Sequence, residues 1–315
     1  MIDRVRPTGS LGDPTPATSA HCSRGQRGQT LAVVAMMLVI LIGSLALVVD
    51  LGHAFAQRRA MQNAADAAAL AGARALALAE GADTARAVAF EYAVHRGGAE
   101  TCAVTLDDTT VTVVVSRTFG TYFASIIGVP TMPVAAQAKA GYTIPTSWTG
   151  DLLPIALHTN ALTLTGTIRI WDDDKAASDP ARGIIADGQR GWLNFNGGSV
   201  GDSEIVDWVT NGYPGRVEVD SWVNGTPGTK TAALHAMDLV RTHTVIFVPV
   251  YDGTRAGQLG SGSLDYRIVA FAAFYVTKVV DTGNPKYVQG QFRRWVTAQE
   301  SGGWIDSGVR IVGLK

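Results

Sequence analysis

From Thr30 to Val49 the chain runs without one charged side chain, and only Thr30 and Ser44 carry a hydroxyl. At ~1.5 Å per residue a helix of that length reaches across the ~30 Å hydrocarbon core of a bilayer. The first expectation is therefore a single membrane-spanning helix over residues 30–49. Asp50, the Gln57-Arg58-Arg59 cluster and an alanine-dense stretch without proline follow directly, so the same helix is expected to continue beyond the membrane as an amphipathic rod.

Residues 1–29 are rich in Pro, Gly, Ser, Thr and Arg with no apolar periodicity, which predicts a disordered cytoplasmic tail. Arg4, Arg6, Arg24 and Arg27 precede the apolar run against Asp3 and Asp13, so the positive-inside rule places the N-terminus in the cytoplasm; Arg58 and Arg59 on the far side oppose that without reversing it. Ser19-Ala20-His21-Cys22 has the look of a lipidation motif but lies before the apolar segment, whereas a lipobox cysteine comes after one. A net charge of -1 and a pI near 6.6 argue against a nucleic-acid partner. In this topology the two cysteines, Cys22 and Cys102, fall on opposite sides of the membrane, which argues against an internal disulfide, and their spacing builds no cysteine metal site.

From Gln57 to Ala79 the pattern is helical, with Ala60, Ala64, Ala67, Ala68, Ala71 and Ala75 near one face. Small faces let helices approach closely. Two readings carry equal weight: the face packs on the chain's own domain, or it joins a partner's bundle, in which case Ala64, Ala68, Ala71 and Asp66 are the partner-contact candidates. Gly81-Ala82-Asp83 interrupts, and Thr84 to His95 resumes a helix that stops at Gly97-Gly98. Ala103 to Ser116 reads as a hairpin turning at Asp107-Asp108. Phe119 to Gly128 is expected to form a short helix with Tyr122, Phe123, Ile126 and Ile127 toward the core, and Pro133 to Gly141 a strand. A helix laid over a small sheet makes an α+β unit over 50–141.

This succession resembles a known family. Arg27-Gly28-Gln29, the apolar run, Val49-Asp50-Leu51-Gly52, Arg59 and the stretch Gln62 to Ala73 are similar to the N-terminal region of TadE/TadG-like proteins of the bacterial tight-adherence (Tad, Flp-type) pilus system. The resemblance extends through Val111 to Ala140, with Tyr122-Phe123, Gly128-Val129 and the alternating Ala136, Ala138 and Ala140, and covers about residues 27–141. It implies a pilin-like unit, other pilus-assembly or pilin subunits as partners, and the bacterial cytoplasmic membrane as location. Gly28 resembles the glycine of a prepilin-peptidase site, but Val33 stands where that site has Glu; Ala54-Phe55-Ala56 offers a second A-x-A cleavage pattern after an apolar run longer than a signal-peptide core. An uncleaved anchor is the expectation.

Past Tyr142, a linker over 142–150 leads into residues 151–315, rich in Gly, Trp, Asn and Asp and expected to be a β-rich extracytoplasmic domain. Candidate strands are Leu162–Trp171, Arg216–Val223, Thr244–Tyr251 and Tyr266–Val280. Candidate helices are Ser203–Val209, capped by Asp202 or Ser203, and Ala232–Arg241.

Several patterns in this half carry possible chemistry. Gly197-Gly198-Ser199-Val200-Gly201 has the form of a nucleophile elbow, with Asp220 and His235 following in hydrolase order, yet the flanks lack the buried strand and repeated βαβ units such an elbow requires. Asp172-Asp173-Asp174 with Asp179 lacks the register of a calcium loop, and His235 and His243 are too far apart for one helical face. Gly228-Thr229-Lys230-Thr231 lacks the glycine before lysine that a phosphate loop needs. No cofactor, metal or catalytic residue is assigned, and the chain is read as a non-enzyme. The leading function is a membrane-anchored structural or assembly component of a Tad-type pilus with lipid and pilus subunits as partners. The alternative is an anchored or secreted module that binds glycan or protein through Trp192, Trp208, Trp222, Trp295 and Trp304, although large aromatics more often fill cores. An anchored serine hydrolase is third.

Overall fold

The computed structural model describes residues 26–173, 191–198, 200–257, 263–297, 299 and 306–315. The expected N-terminal tail through residue 25, with Cys22, lies outside these residues, as do Asp174, Asp179, Ser199 and Trp304. The chain divides into two units, Met1–His53 with Thr121–Pro130, and Ala54–Gly120 with Thr131–Lys315.

Helix α1 (Gln26–Ala77) runs unbroken from before the apolar segment through the alanine-rich stretch. The continuity expected from the absence of proline is present, and the helix is long and apolar enough to cross a membrane. It starts at Gln26, inside the segment read as tail. Ala79 then turns left-handed (φ 52°), and the Glu80 N–H returns to the Ala75 carbonyl at 3.0 Å, which closes the last turn.

In the first unit the described residues are the apolar part of α1 and the segment Thr121–Pro130, which contains a 3₁₀ turn at Ala124–Ile127. The expectation of a helix from Phe119 to Gly128 facing a core is corrected here. Phe119 and Gly120 belong to a strand that pairs as far as Gly120 opposite Thr131, so the intervening residues are the connection between two paired strands. Tyr122, Phe123, Ile126 and Ile127 are exposed.

The second unit opens with the rest of α1, then α2 (Ala82–Phe90), which passes into a π-helical turn at Glu91–Arg96 and stops at Gly97-Gly98 as expected. Strands β1 (Thr101–Leu106) and β2 (Thr110–Gly120) form the hairpin read from the sequence, and β3 (Thr131–Thr143) pairs with β2. The α1 stretch from Met61 to Ala73 buries its small residues against Val111, Val113 and Val115 of β2 and Ala136, Ala138 and Ala140 of β3. Alternation along both strands places these side chains on one face, which is why a short-residue helix can lie close to it.

Next come β4 (Ser147–Thr149), β5 (Leu157–His158), β6 (Ile168–Asp172), β7 (Leu193–Asn194), α3 (Asp202–Asn211), β8 (Arg216–Glu218), β9 (Trp222–Gly225) and α4 (Thr231–Arg241). The chain then forms β10 (Val245–Ala256), β11 (Leu264–Val280), β12 (Tyr287–Arg293), β13 (Trp295–Thr297) and β14 (Val309–Leu314). The larger sheet has the order β5-β10-β11-β12-β6, with β9 joining β11 and β7 joining β9, while β4 and β8 pair separately.

β11 is its central strand and is buried on both faces. Tyr266, Ile268, Phe271 and Ala273 join a core with Trp148, whereas Ala270, Ala272, Phe274 and Val276 join one with Trp192, Trp208, α3 and α4. A near-continuous apolar run is what a strand covered on both sides requires.

Three local expectations are corrected. Only Ile168–Asp172 of the run 162–171 and its neighbour is strand, because Thr159–Thr163 forms a 3₁₀ turn whose first N–H groups include Asn160, held by His158 Nδ1 at 3.1 Å. The strand read at 216–223 breaks into β8 and β9 at Asp220, which takes φ 64°. Helix α3 is preceded by Gly201 with no side-chain cap, since the Asp202 carboxylate is drawn instead to Lys230 Nζ at 2.7 Å.

The last strands return to the first sheet, whose order is β1-β2-β3-β14-β13. β14 lies antiparallel to β3 and parallel to β13. Arg310 on β14 is buried; its Nη1 donates to the carbonyls of Leu76 (3.2 Å) and Ala77 (3.0 Å) at the end of α1, its other nitrogens meet Asp306, and its guanidinium lies 4.3 Å over the Tyr142 ring. A cation at a helix C-terminus answers carbonyls that have no partner within the helix. Burial works against the Asp306 carboxylate, but hydrogen bonds from Arg310 and the Gly308 N–H hold its pKa below the ordinary 3.8.

Arg310→Ala is expected to lower stability by roughly 2 kcal/mol, the cost of stranding two helix-end carbonyls, with half-exposed Asp306 rehydrating. Because the folded pKa of Asp306 is depressed, its contribution is complete above its unfolded pKa and disappears as pH falls through the lower folded value. Thermal melts of the parent should therefore be level above about pH 5 and decline below about pH 4, with part of that decline absent from Arg310→Ala.

Candidate assembly interface

The apolar segment of α1 presents Leu31, Val39, Leu41, Leu47 and their neighbours outward along its whole length. Ser44 returns its hydroxyl to the Ile40 carbonyl at 2.8 Å, so it leaves no unanswered donor within the run. The first acid beyond the run stands immediately after it. Asp50 is buried and accepts the backbone N–H groups of Tyr122 (2.8 Å), Phe123 (3.0 Å) and Ala124 (2.5 Å) at the start of the 3₁₀ turn, while His53 stands edge-on to the Tyr122 ring with centroids 5.2 Å apart. Burial opposes the carboxylate, yet these N–H groups together with His53 hold its pKa below the ordinary range.

Beyond Asp50 the alanine face takes over. Ala64 and Ala68 are buried in the core against β2 and β3, with Ala65, Ala69 and Ala73 beside them. The end of the π-helical turn also comes close to this face: a Cβ at Gly97 would lie 2.4 Å from the Ala64 Cβ. Ala71 and Asp66 are half-buried, and Asp66 accepts from Gln62 Nε2 at 2.8 Å while Gln62 also reaches the Gln137 carbonyl. Of the four partner-contact candidates, Ala64 and Ala68 are thus occupied by the chain's own sheet, and the outward positions of this helix stretch include Asn63, Ala67 and Arg74. The sequence shows Asp50 as the residue that closes the uncharged run but not the N–H groups it holds, and nothing local marks Arg310.

The other patterns separate. Asp220 sits in its left-handed turn, whereas His235 Nδ1 lies 2.6 Å from Asp281. Full-length protein in detergent is expected to resist serine-directed fluorophosphonates; labelling that vanishes in Ser199→Ala would overturn the loop reading of 197–201. Asp172 pairs with Arg169 at 2.6 Å, Asp173 accepts the Lys286 N–H, and no metal-binding cluster of His, Cys, Asp or Glu occurs among the described residues. Lys230 is committed to Asp202. Trp192 and Trp208 are core residues, whereas Trp222 and Trp295 are 39% and 40% exposed, the former beneath the Arg255 guanidinium at 4.3 Å and the latter edge-on to Phe247. Cys102 is half-buried, and burial pushes its thiol pKa up.

Comparison with known proteins singles out the same stretch of chain. Residues 28–75 match the family model described as "Putative Flp pilus-assembly TadE/G-like". No curated protein and no solved structure matches the chain. The apolar run and the alanine-rich helix that continues it are therefore a TadE/G-like segment.

Proposed function

We propose that the protein is a membrane-anchored structural or assembly component of a Tad-type (Flp) pilus and works by packing. The observation that carries this reading is the coincidence of the TadE/G-like segment with an outward-facing apolar helix that continues, unbroken, into a helix seated on its own sheet. In this proposal residues 30–49 cross the bacterial cytoplasmic membrane uncleaved, residues 1–29 stay in the cytoplasm, and the regions 50–141 and 151–315 lie outside, joined through 142–150. The 50–141 region is the pilin-like part, and other pilus subunits meet the apolar helix, outward-facing Ala67 and the half-buried Ala71 and Asp66. Such contacts involve shape and small side chains, so no cofactor or bond-making step enters.

Topology tests the anchor. A reporter active only outside the cytoplasm should be silent when fused at residue 20 and active at residue 150; the opposite pattern overturns the proposal. Exposed Trp222 and Trp295 favour the binding-module alternative, but Arg255 already covers one ring and Phe247 abuts the other.

A further inference from the structure

The connection between β2 and β3 leaves Tyr122, Phe123, Ile126, Ile127 and Val129 uncovered, with the two isoleucines 80% and 81% exposed, and carries no charged residue from Thr121 to Pro130. Scattered apolar side chains on a surface need no explanation, but a contiguous group does. This loop is also well ordered in its own bonding. Asp50 takes three of its N–H groups, the Val129 N–H reaches the Ala124 carbonyl at 3.0 Å, the Thr121 N–H reaches Pro130 at 3.0 Å, and the Ser125 hydroxyl returns to the Tyr122 carbonyl at 2.8 Å. Gly128 supplies the left-handed turn (φ 93°) that closes it. A loop that answers most of its polar backbone internally can leave water at little cost.

What covers it follows from where it is fastened. Asp50 is the first residue after the uncharged run, so the loop is tied to α1 at the level where that run ends. We propose that Thr121–Pro130 is a membrane-interface anchor, its apolar side chains seated in the outer headgroup and acyl boundary beside the emerging helix, with Asp50 as the positioning residue. The inference rests on the proposal that residues 30–49 span the bilayer. An aromatic-aliphatic tip of this composition suits the interface, where Tyr keeps its hydroxyl wet while its ring is buried. Its neutrality argues against a charged protein surface as the occupant.

The test uses the full chain carrying Cys22→Ser and Cys102→Ser, with an environment-sensitive fluorophore attached either at Ile126→Cys or at Ser44→Cys, in vesicles of phosphatidylcholine brominated on its acyl chains with phosphatidylglycerol. Quenching of both labels is the expected result. Quenching at 44 but not at 126 overturns the anchor while leaving the span intact; quenching at neither removes the span and the anchor with it. Quenching at 126 that fades as the protein-to-lipid ratio rises shows a second copy covering the loop and also overturns the proposal. Asp50→Ala should abolish most quenching at 126 and leave 44 unchanged, and Asp50→Asn, which keeps an acceptor oxygen, should restore part of it. Unchanged quenching at 126 in Asp50→Ala overturns the positioning role.

Discussion

A chain ended at Gly308 is expected not to fold its second unit to a stable state. The missing residues contain β14, which lies between β3 and β13. Removing it strips the pairings from Thr143 to Ala140, leaves β13 without its neighbour, and withdraws Val309, which is fully buried in the core around Trp148. Arg310 is lost with it, so the end of α1 has no answer for the Leu76 and Ala77 carbonyls. Each effect alone is about 1–3 kcal/mol, and together they approach the ~5–15 kcal/mol by which domains are stable. The measurement is protease resistance of the detergent-purified protein. A truncated chain as resistant as the parent would show that the helix and first three strands hold themselves together.

The second large effect is that of Ala68→Leu. Ala68 is fully buried where α1 crosses β2 and β3, and the buried residues of its cluster are alanines and valines apart from Met61, so few long side chains can swing aside. The added carbons must separate helix from sheet, which places the cost near the upper end of the ~1–3 kcal/mol usual for overpacking. For a unit of this size a loss of about 3 kcal/mol lowers the melting temperature by roughly 6–12 °C. Cellular level should fall in step, and surface piliation with it. A normal melting temperature with pili lost would return this face to a partner subunit.

The long-range organisation divides into parts that leave local marks and parts that do not. α1 was legible because an uncharged run and an alanine-rich run need nothing beyond themselves to be helical. β10 and β11 were legible because burial on both faces demands uninterrupted apolar sequence, and the β1–β2 hairpin because Asp107-Asp108 punctuates two β-branched stretches. The short strands β4, β5, β7 and β13 escaped, since two or three residues carry no periodicity. The 3₁₀ loop misled because Ile126-Ile127 looks like core to any reading that lacks its surroundings. Asp202 looked like a cap, and only the structure reveals the competing Lys230. At the candidate interface the small-residue face was visible and its neighbours were not: the same alanines suit a neighbouring helix or a valine sheet, and Ala64 and Ala68 share a core with Val111, Val113 and Val115.

The insertion of β14 beside β3 has a consequence in time. During N-to-C synthesis the helix, β1, β2 and β3 are complete long before residues 309–314 have been made, so β3 waits with one row of backbone groups open while the larger sheet is laid down. Closing so long a loop adds little equilibrium cost, because loop entropy grows only logarithmically, but it delays the step and leaves an adhesive edge on a half-made chain. A protein whose final fold depends on packing thus passes through a stage at which the edge most ready to pair belongs to a sheet still missing β13 and β14.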